Sequence, residues 1–172
     1  MVKLRFITII GVVLTCLVSC GKGVDSQVTD DEIAIYLELA RSSPSSEIVI
    51  SGAPITALGI THHDNVRSVL PSAPEATIAD FLAKNSENLI IEKDVQIGCG
   101  FVLIGSHDRE KRLSGLYRFN SFSRVGFDSI RKTAIVWYSD ACAPLCGEAG
   151  LYLLEYNGEK WVIVAESEKI KS

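Results

Sequence analysis

Histidine is scarce in this 172-residue chain, with three in all, at His62, His63 and His107. Little is left for metal binding or imidazole-centred catalysis. Adjacent residues face opposite sides of a strand and diverge by about 100° on a helix, so His62 and His63 do not converge on one metal. A single ligand from each of His62-His63-Asp64 and His107-Asp108, plus an aspartate, is one conceivable metal arrangement; otherwise these are polar residues flanking loops. The second cysteine pair that a structural zinc site needs is missing. No Gly-x-Ser-x-Gly elbow is present, so a hydrolase of that design is excluded. Gly98-Cys99-Gly100 is a lone Gly-x-Gly in a strand-like run with no helix after it, which does not make a dinucleotide fingerprint. Carboxylates are plentiful, but no pair has a spacing that marks acid–base work. No catalytic residue, metal ligand or cofactor is assigned.

A basic excess is absent too. There are 17 Lys and Arg against 21 Asp and Glu, a formal net charge of −4. Nucleic-acid affinity comes largely from neutralising phosphates, so an acidic chain without a dense basic patch is a poor partner for it. The Arg109-Glu110-Lys111-Arg112 cluster reads as a solvated loop.

What is present begins at the N-terminus. Lys3 and Arg5 precede an apolar run from Phe6 to Val18, which ends in Ser19-Cys20. Thirteen residues fall short of the ~20 that a helix needs to span a bilayer, and the three zones are those of an export signal. Leu17-Val18-Ser19-Cys20 resembles the lipobox of bacterial lipoproteins. That resemblance implies cleavage before Cys20, a diacylglyceryl group on its thiol and usually a further acyl chain, such as palmitate, on its amine. Two or more chains anchor stably where one does not. Cys16 fits less well, because further apolar residues follow it. Gly21 stands where aspartate would signal inner-membrane retention in enteric bacteria. The expected location is the bacterial cell envelope, lipid-anchored at the outer membrane and facing the periplasm.

The division expected is therefore a signal peptide at 1–19, lipidated Cys20 with a flexible tether at 20–28, and a single domain at 29–172. Loss of the leader leaves 15 basic and 21 acidic residues, a net −6. Within the domain, Thr29-Asp30-Asp31-Glu32 reads as a capping box opening a helix with Ile33, Tyr36, Leu37 and Ala40 at helical spacing. Ile48-Val49-Ile50 reads as a strand. A helical turn fits Asp64 to Leu70, and Pro74-Glu75 starts a clearer helix with Ile78, Phe81 and Leu82 on one stripe. Leu89 to Ile91 and Val95 to Ile104 are rich in β-branched residues, with Gly98 and Gly100 suggesting a bulge or a close backbone approach.

The remainder predicts an antiparallel meander. Its strands are Ser121 to Phe127, Thr133 to Tyr138, Leu151 to Tyr156 and Trp161 to Ala165. A long connection is expected at 139–150 and a tight turn at Asn157-Gly158. The fold class expected is α+β: two or three helices on one face of a curved antiparallel sheet, with a C-terminal β-meander.

Cys142 and Cys146 are the cysteines with a specific reading. In an oxidising envelope neighbouring cysteines pair, and a bend at Pro144 brings them into reach of a disulfide. A redox-active pair, a metal site and pairing of one of them with Cys99 are the alternatives. Thioredoxin-like sites space their cysteines by two residues at a helix start, whereas these are spaced by three in a loop. Cys99 is otherwise a thiol within an apolar strand. Arg124 reads either as a sheet-face residue paired with an acid or as part of a small anion-binding cleft. Trp137, Tyr138, Tyr152, Tyr156 and Trp161 read mostly as core and cross-strand pairs.

Five segments carry a second resemblance. They are Ser123-Arg124-Val125-Gly126-Phe127, Thr133-Ala134-Ile135-Val136, Cys142-Ala143-Pro144-Leu145-Cys146-Gly147, Leu151 to Leu154, and Asn157-Gly158-Glu159-Lys160-Trp161. Together, and more weakly with Asp80 to Asn85, they are similar to a group of small exported bacterial proteins and lipoproteins without an established activity. Ala149 and Leu151 stand where those proteins commonly have a glycine and a second aromatic. The resemblance supports the architecture and implies no chemistry. The function expected is a non-enzymatic binding or interaction module held to the membrane through Cys20, with an envelope protein as partner and an immunity-type protein as one version. A ligand-binding or enzymatic pocket in a cone-shaped α+β fold is the alternative, followed by thiol–disulfide chemistry.

Overall fold

The computed structural model describes residues 28–41, 43–50, 60, 62–86, 89–98, 100–106, 114, 118–142 and 146–171, without the side chains of 141, 142, 146, 170 and 171. Cys20, Cys99, His107 and Asp108 lie outside the described residues.

Helix α1 (Asp30–Ala40) opens on the expected capping box. The Glu32 amide donates to Thr29 Oγ1 at 3.3 Å, and the Thr29 amide donates to Glu32 Oε2 at 3.0 Å. Ile35, Tyr36, Leu39 and Ala40 form its buried stripe. Helices α2 (His63–Val69) and α3 (Glu75–Asn85) follow strand β1 (Glu47–Ile50). Pro74 sits immediately before α3, where its missing N–H removes no helical bond.

The other strands are β2 (Val95–Ile97), β3 (Phe101–Leu103), β4 (Arg118–Phe122), β5 (Gly126–Phe127), β6 (Thr133–Cys142), β7 (Cys146–Tyr156), β8 (Trp161–Glu166) and β9 (Ile170–Lys171). They form one sheet of order β2-β3-β1-β4-β6-β7-β8, with β5 paired to β6 and β9 to β7. The α+β class expected from the sequence is observed, with a largely antiparallel sheet and a C-terminal run of strands.

Four details differ from expectation. First, the sheet is mixed, because β1 runs parallel to both β3 and β4. The chain from β1 to β4 passes through two helices and the β2–β3 hairpin, long enough for the crossover that parallel neighbours require. Second, helices cover both faces. Ala134, Val136 and Tyr138 of β6 join the core under α1, while Ile135 and Trp137 join the core under α2 and α3. The unbroken apolar runs at 134–137 and 151–154 are the signature of strands buried on both sides. Third, Gly98 and Gly100 are no bulge. With φ of +58° and +92° they turn the β2–β3 hairpin, in which Ile97 pairs with Phe101. Fourth, the connection expected at 139–150 is mostly strand, with Ser139 paired to Ala149 and Cys142 to Cys146.

A break between β4 and β5 binds the layers together. The strand expected at 121–127 is interrupted here: Ser123 keeps its amide bond to the Trp137 carbonyl at 3.0 Å, Arg124 and Val125 leave the ladder, and side chains take the remaining backbone groups, as burial demands. Tyr36 donates to the Ser123 carbonyl at 3.0 Å. Asn85 accepts from the Arg124 amide and donates to its carbonyl, both at 2.9 Å. The Val125 amide donates to Glu32 at 3.1 Å, and Lys84 donates to the Val125 carbonyl at 3.0 Å. Helices from opposite faces thus meet on three residues.

Candidate binding cleft

Two candidate regions stand out, and one of them is closed. Arg124 has an acid partner, as the first of its two readings expects, though in the strand break rather than on a strand. Its Nε donates to Glu32 Oε1 at 2.8 Å and its Nη2 to Oε2 at 3.1 Å. Glu32 is fully buried, and its two oxygens also take the Thr29 and Val125 amides. Burial pushes the Glu32 carboxyl up, but Arg124 and those amides outweigh it and hold the group below the ordinary carboxylate range. This cluster is saturated and serves the fold.

The open region lies beyond α1, where β6 and β7 continue as a ten- and eleven-residue hairpin. A row of rings leads to it: Tyr36, Phe122 and Tyr138 with centroids 4.8 Å apart at each step, then Tyr152 at 5.9 Å. Past the rings the same face turns polar. Register places Asn120 and Asp140 opposite each other, then Asp140 opposite Glu148. The result is a cleft of about 460 Å³ with α1 on one side and β8 on the other. Leu39 and Ile163 give it apolar surface, while Glu38, Arg118, Asp140, Glu148, Glu166 and Lys169 supply its charges.

Those charges are mostly paired. Arg118 holds Asp140 through two parallel bonds, Nε to Oδ1 at 2.7 Å and Nη2 to Oδ2, the geometry that makes Arg–carboxylate pairs specific. Lys169 Nζ lies 3.1 Å from Glu148 and 4.0 Å from Glu166. The Glu148 bond, followed by Tyr152 and Glu166, raises the Lys169 pKa. Tyr138 donates to Asn120 Oδ1 at 3.0 Å, and its phenol is pushed far up, by burial first and then by the Asp140 charge. The Tyr152 phenol is raised by burial, opposed by Lys169 and reinforced by Glu166 and Glu148. Both phenols are protonated at neutral pH.

Cys142 and Cys146 are register partners, two positions beyond Asp140 and Glu148 on their strands. His62 precedes α2, and His63 Nε2 contacts Glu75, which Arg67 also holds. Among the described residues no group of three His, Cys, Asp or Glu side chains is arranged to hold a metal. A second hollow of about 290 Å³ lies between α2 and the sheet, lined by Val69, Trp137 and Leu151.

The cleft was not readable from the sequence. Its residues come from five separate elements, and Tyr138 and Tyr152 look like ordinary core aromatics. No protein-family model, curated protein or solved structure matches the chain.

Proposed function

We propose that this chain is a lipid-anchored protein of the bacterial envelope whose α+β domain is a non-enzymatic binding module, with the cleft beside the β6–β7 hairpin as its binding site. The observation that carries the reading is a cleft of about 460 Å³, within the ~300–1,000 Å³ of small-ligand sites. Polar groups converge there from α1, β4, β6 and β7, beside an apolar wall. Binding is favoured over catalysis because Asp140 and Glu148 are held by cations. The anchor rests on Leu17 to Cys20, and the tether at 20–28 would carry the domain clear of the lipid surface. A disulfide between Cys142 and Cys146 belongs to the same reading, as a clamp on the hairpin tip.

Native mass spectrometry tests the binding claim. The full chain in detergent micelles is mixed with the small-molecule fraction of a bacterial envelope extract. Ile163 is half exposed at the cleft wall, so Ile163→Trp fills the cleft without disturbing the core. A bound species retained by the parent protein and lost in Ile163→Trp is expected. Retention that ignores the substitution, or none at all, contradicts the reading.

A further inference from the structure

Trp137 stands on the face of the sheet opposite the cleft, in the core under α2 and α3. It is 6% exposed and lines the hollow of about 290 Å³ between α2 and the sheet. Among the described residues two buried side-chain polar atoms lack a hydrogen bond, His63 Nε2 and Trp137 Nε1. His63 Nε2 has the Glu75 carboxylate against it. The indole N–H has no hydrogen-bond partner, although a buried tryptophan N–H usually finds one. Ile60, Val69 and Leu151 give the hollow a mostly apolar wall. Its hydroxyls are already committed: Ser68 donates to the Asn65 carbonyl at 2.8 Å, and Ser167 accepts from the Leu151 amide at 2.9 Å. Glu168 is the one charged residue among the described lining. Of α2 itself only Val66 is buried, and Val69 is 41% exposed.

We propose that this hollow is a second binding site, for a neutral one-ring molecule carrying a carbonyl, which enters beside α2 and accepts a hydrogen bond from Trp137 Nε1. An indole N–H only donates, so the ligand brings the acceptor. A carboxylate would meet Glu168 with no cation among the described lining to neutralise it. An ammonium has no acceptor and would leave the indole unbonded. Size sets the body of the ligand. An apolar cavity of about 150 Å³ takes benzene, so about twice that space suits a ring with a short carbonyl-bearing substituent. The hollow and the cleft lie on opposite faces of the sheet, so either assignment stands or falls without the other.

Indole 1H–15N spectra of the full chain in detergent micelles test it. The chain has two tryptophans, hence two indole signals, assigned by the one that Trp161→Phe removes. The probes are acetophenone, benzoate and α-methylstyrene, which keeps the shape of acetophenone with a methylene in place of the carbonyl oxygen. Acetophenone is expected to move the Trp137 signal downfield saturably, as a new hydrogen bond does, and to leave Trp161 in place. α-Methylstyrene should fill the same space without a downfield shift, and benzoate should move neither signal. Val69→Phe narrows the hollow from its exposed side and should weaken acetophenone binding about tenfold or more, with the unchanged Trp161 signal as the check on folding. Ser68→Leu, at a second exposed lining position, should weaken it in the same direction and serves if Val69→Phe disturbs α2. No saturable shift with acetophenone, an equal downfield shift with α-methylstyrene, or a response untouched by both substitutions overturns the assignment. Joint movement of both indole signals marks uptake of the probe by the micelle and overturns it as well.

Discussion

Glu32 shows how one side chain can fix a fold. It caps α1, neutralises Arg124 and holds the Val125 amide, with no exposed surface of its own. Removing one partner of a buried pair leaves an uncompensated charge and costs about 3–5 kcal/mol. Arg124→Met should therefore lose about that much in urea unfolding, whereas an exposed pair such as Arg41–Glu38 should contribute under about 1 kcal/mol. The pH dependence has a definite sign. The folded Glu32 pKa lies below its unfolded value. Its contribution is complete above the unfolded pKa of about 4.3 and is lost as pH falls through the lower folded pKa. Tyr36 sets the opposite limit, its phenol raised well above the ordinary range by burial and then by Glu32. That contribution is complete below the unfolded pKa of about 10 and is lost as pH rises towards the folded one. Arg124→Met should weaken the acid limb and move the alkaline limb further up, because Arg124 lowers both the Glu32 and the Tyr36 pKa.

At the scale of elements, the Ser-Arg-Val-Gly-Phe segment is explained by packing. A Cβ on Gly126 would stand 2.4 Å from the Phe81 Cα, so α3 and β5 touch backbone to backbone. Gly126→Ala must push the two apart, and should cost about 3 kcal/mol or more in chemical denaturation, at the upper end of overpacking. An unchanged midpoint would refute the close approach. The proposed cysteine clamp belongs to the same scale. Directly paired residues on antiparallel strands have α-carbons about 4.5–5.5 Å apart, within the 4.4–6.8 Å of disulfides, and Cys142 is the register partner of Cys146. Alkylation of the unreduced, unfolded chain should leave both thiols unlabelled; labelling of either contradicts the bond.

The elements that were legible in the sequence carried local chemistry: the Thr29–Glu32 box, Pro74 before α3, and Asn157-Gly158, where Gly158 has φ of +100°. The ends of β6 and β7 were not legible, because Ser139, Asp140, Gly147 and Glu148 outrun the helices and carry no apolar alternation. The second helical layer was hidden for the opposite reason: apolar residues on both faces of 134–137 cancel the period-two signal.

For the whole molecule, the proposed function gives the domain and the proposed anchor at Cys20 separate physical roles. The domain is acidic and has no helix among its described residues long and apolar enough to cross a membrane. Attachment would fall to Cys20, leaving the cleft free to meet soluble ligands within reach of the tether. On this proposal, tethering would keep the domain near the membrane whatever its own affinity for lipid. The intact mass of the chain, extracted by detergent from bacterial membranes, tests this most directly. The expected result is a polypeptide beginning at Cys20, heavier by a diacylglyceryl group and usually one further acyl chain, which Cys20→Ala abolishes together with membrane retention. An unmodified polypeptide in the soluble fraction, or one that keeps residues 1–19, would contradict a lipid-tethered binding module.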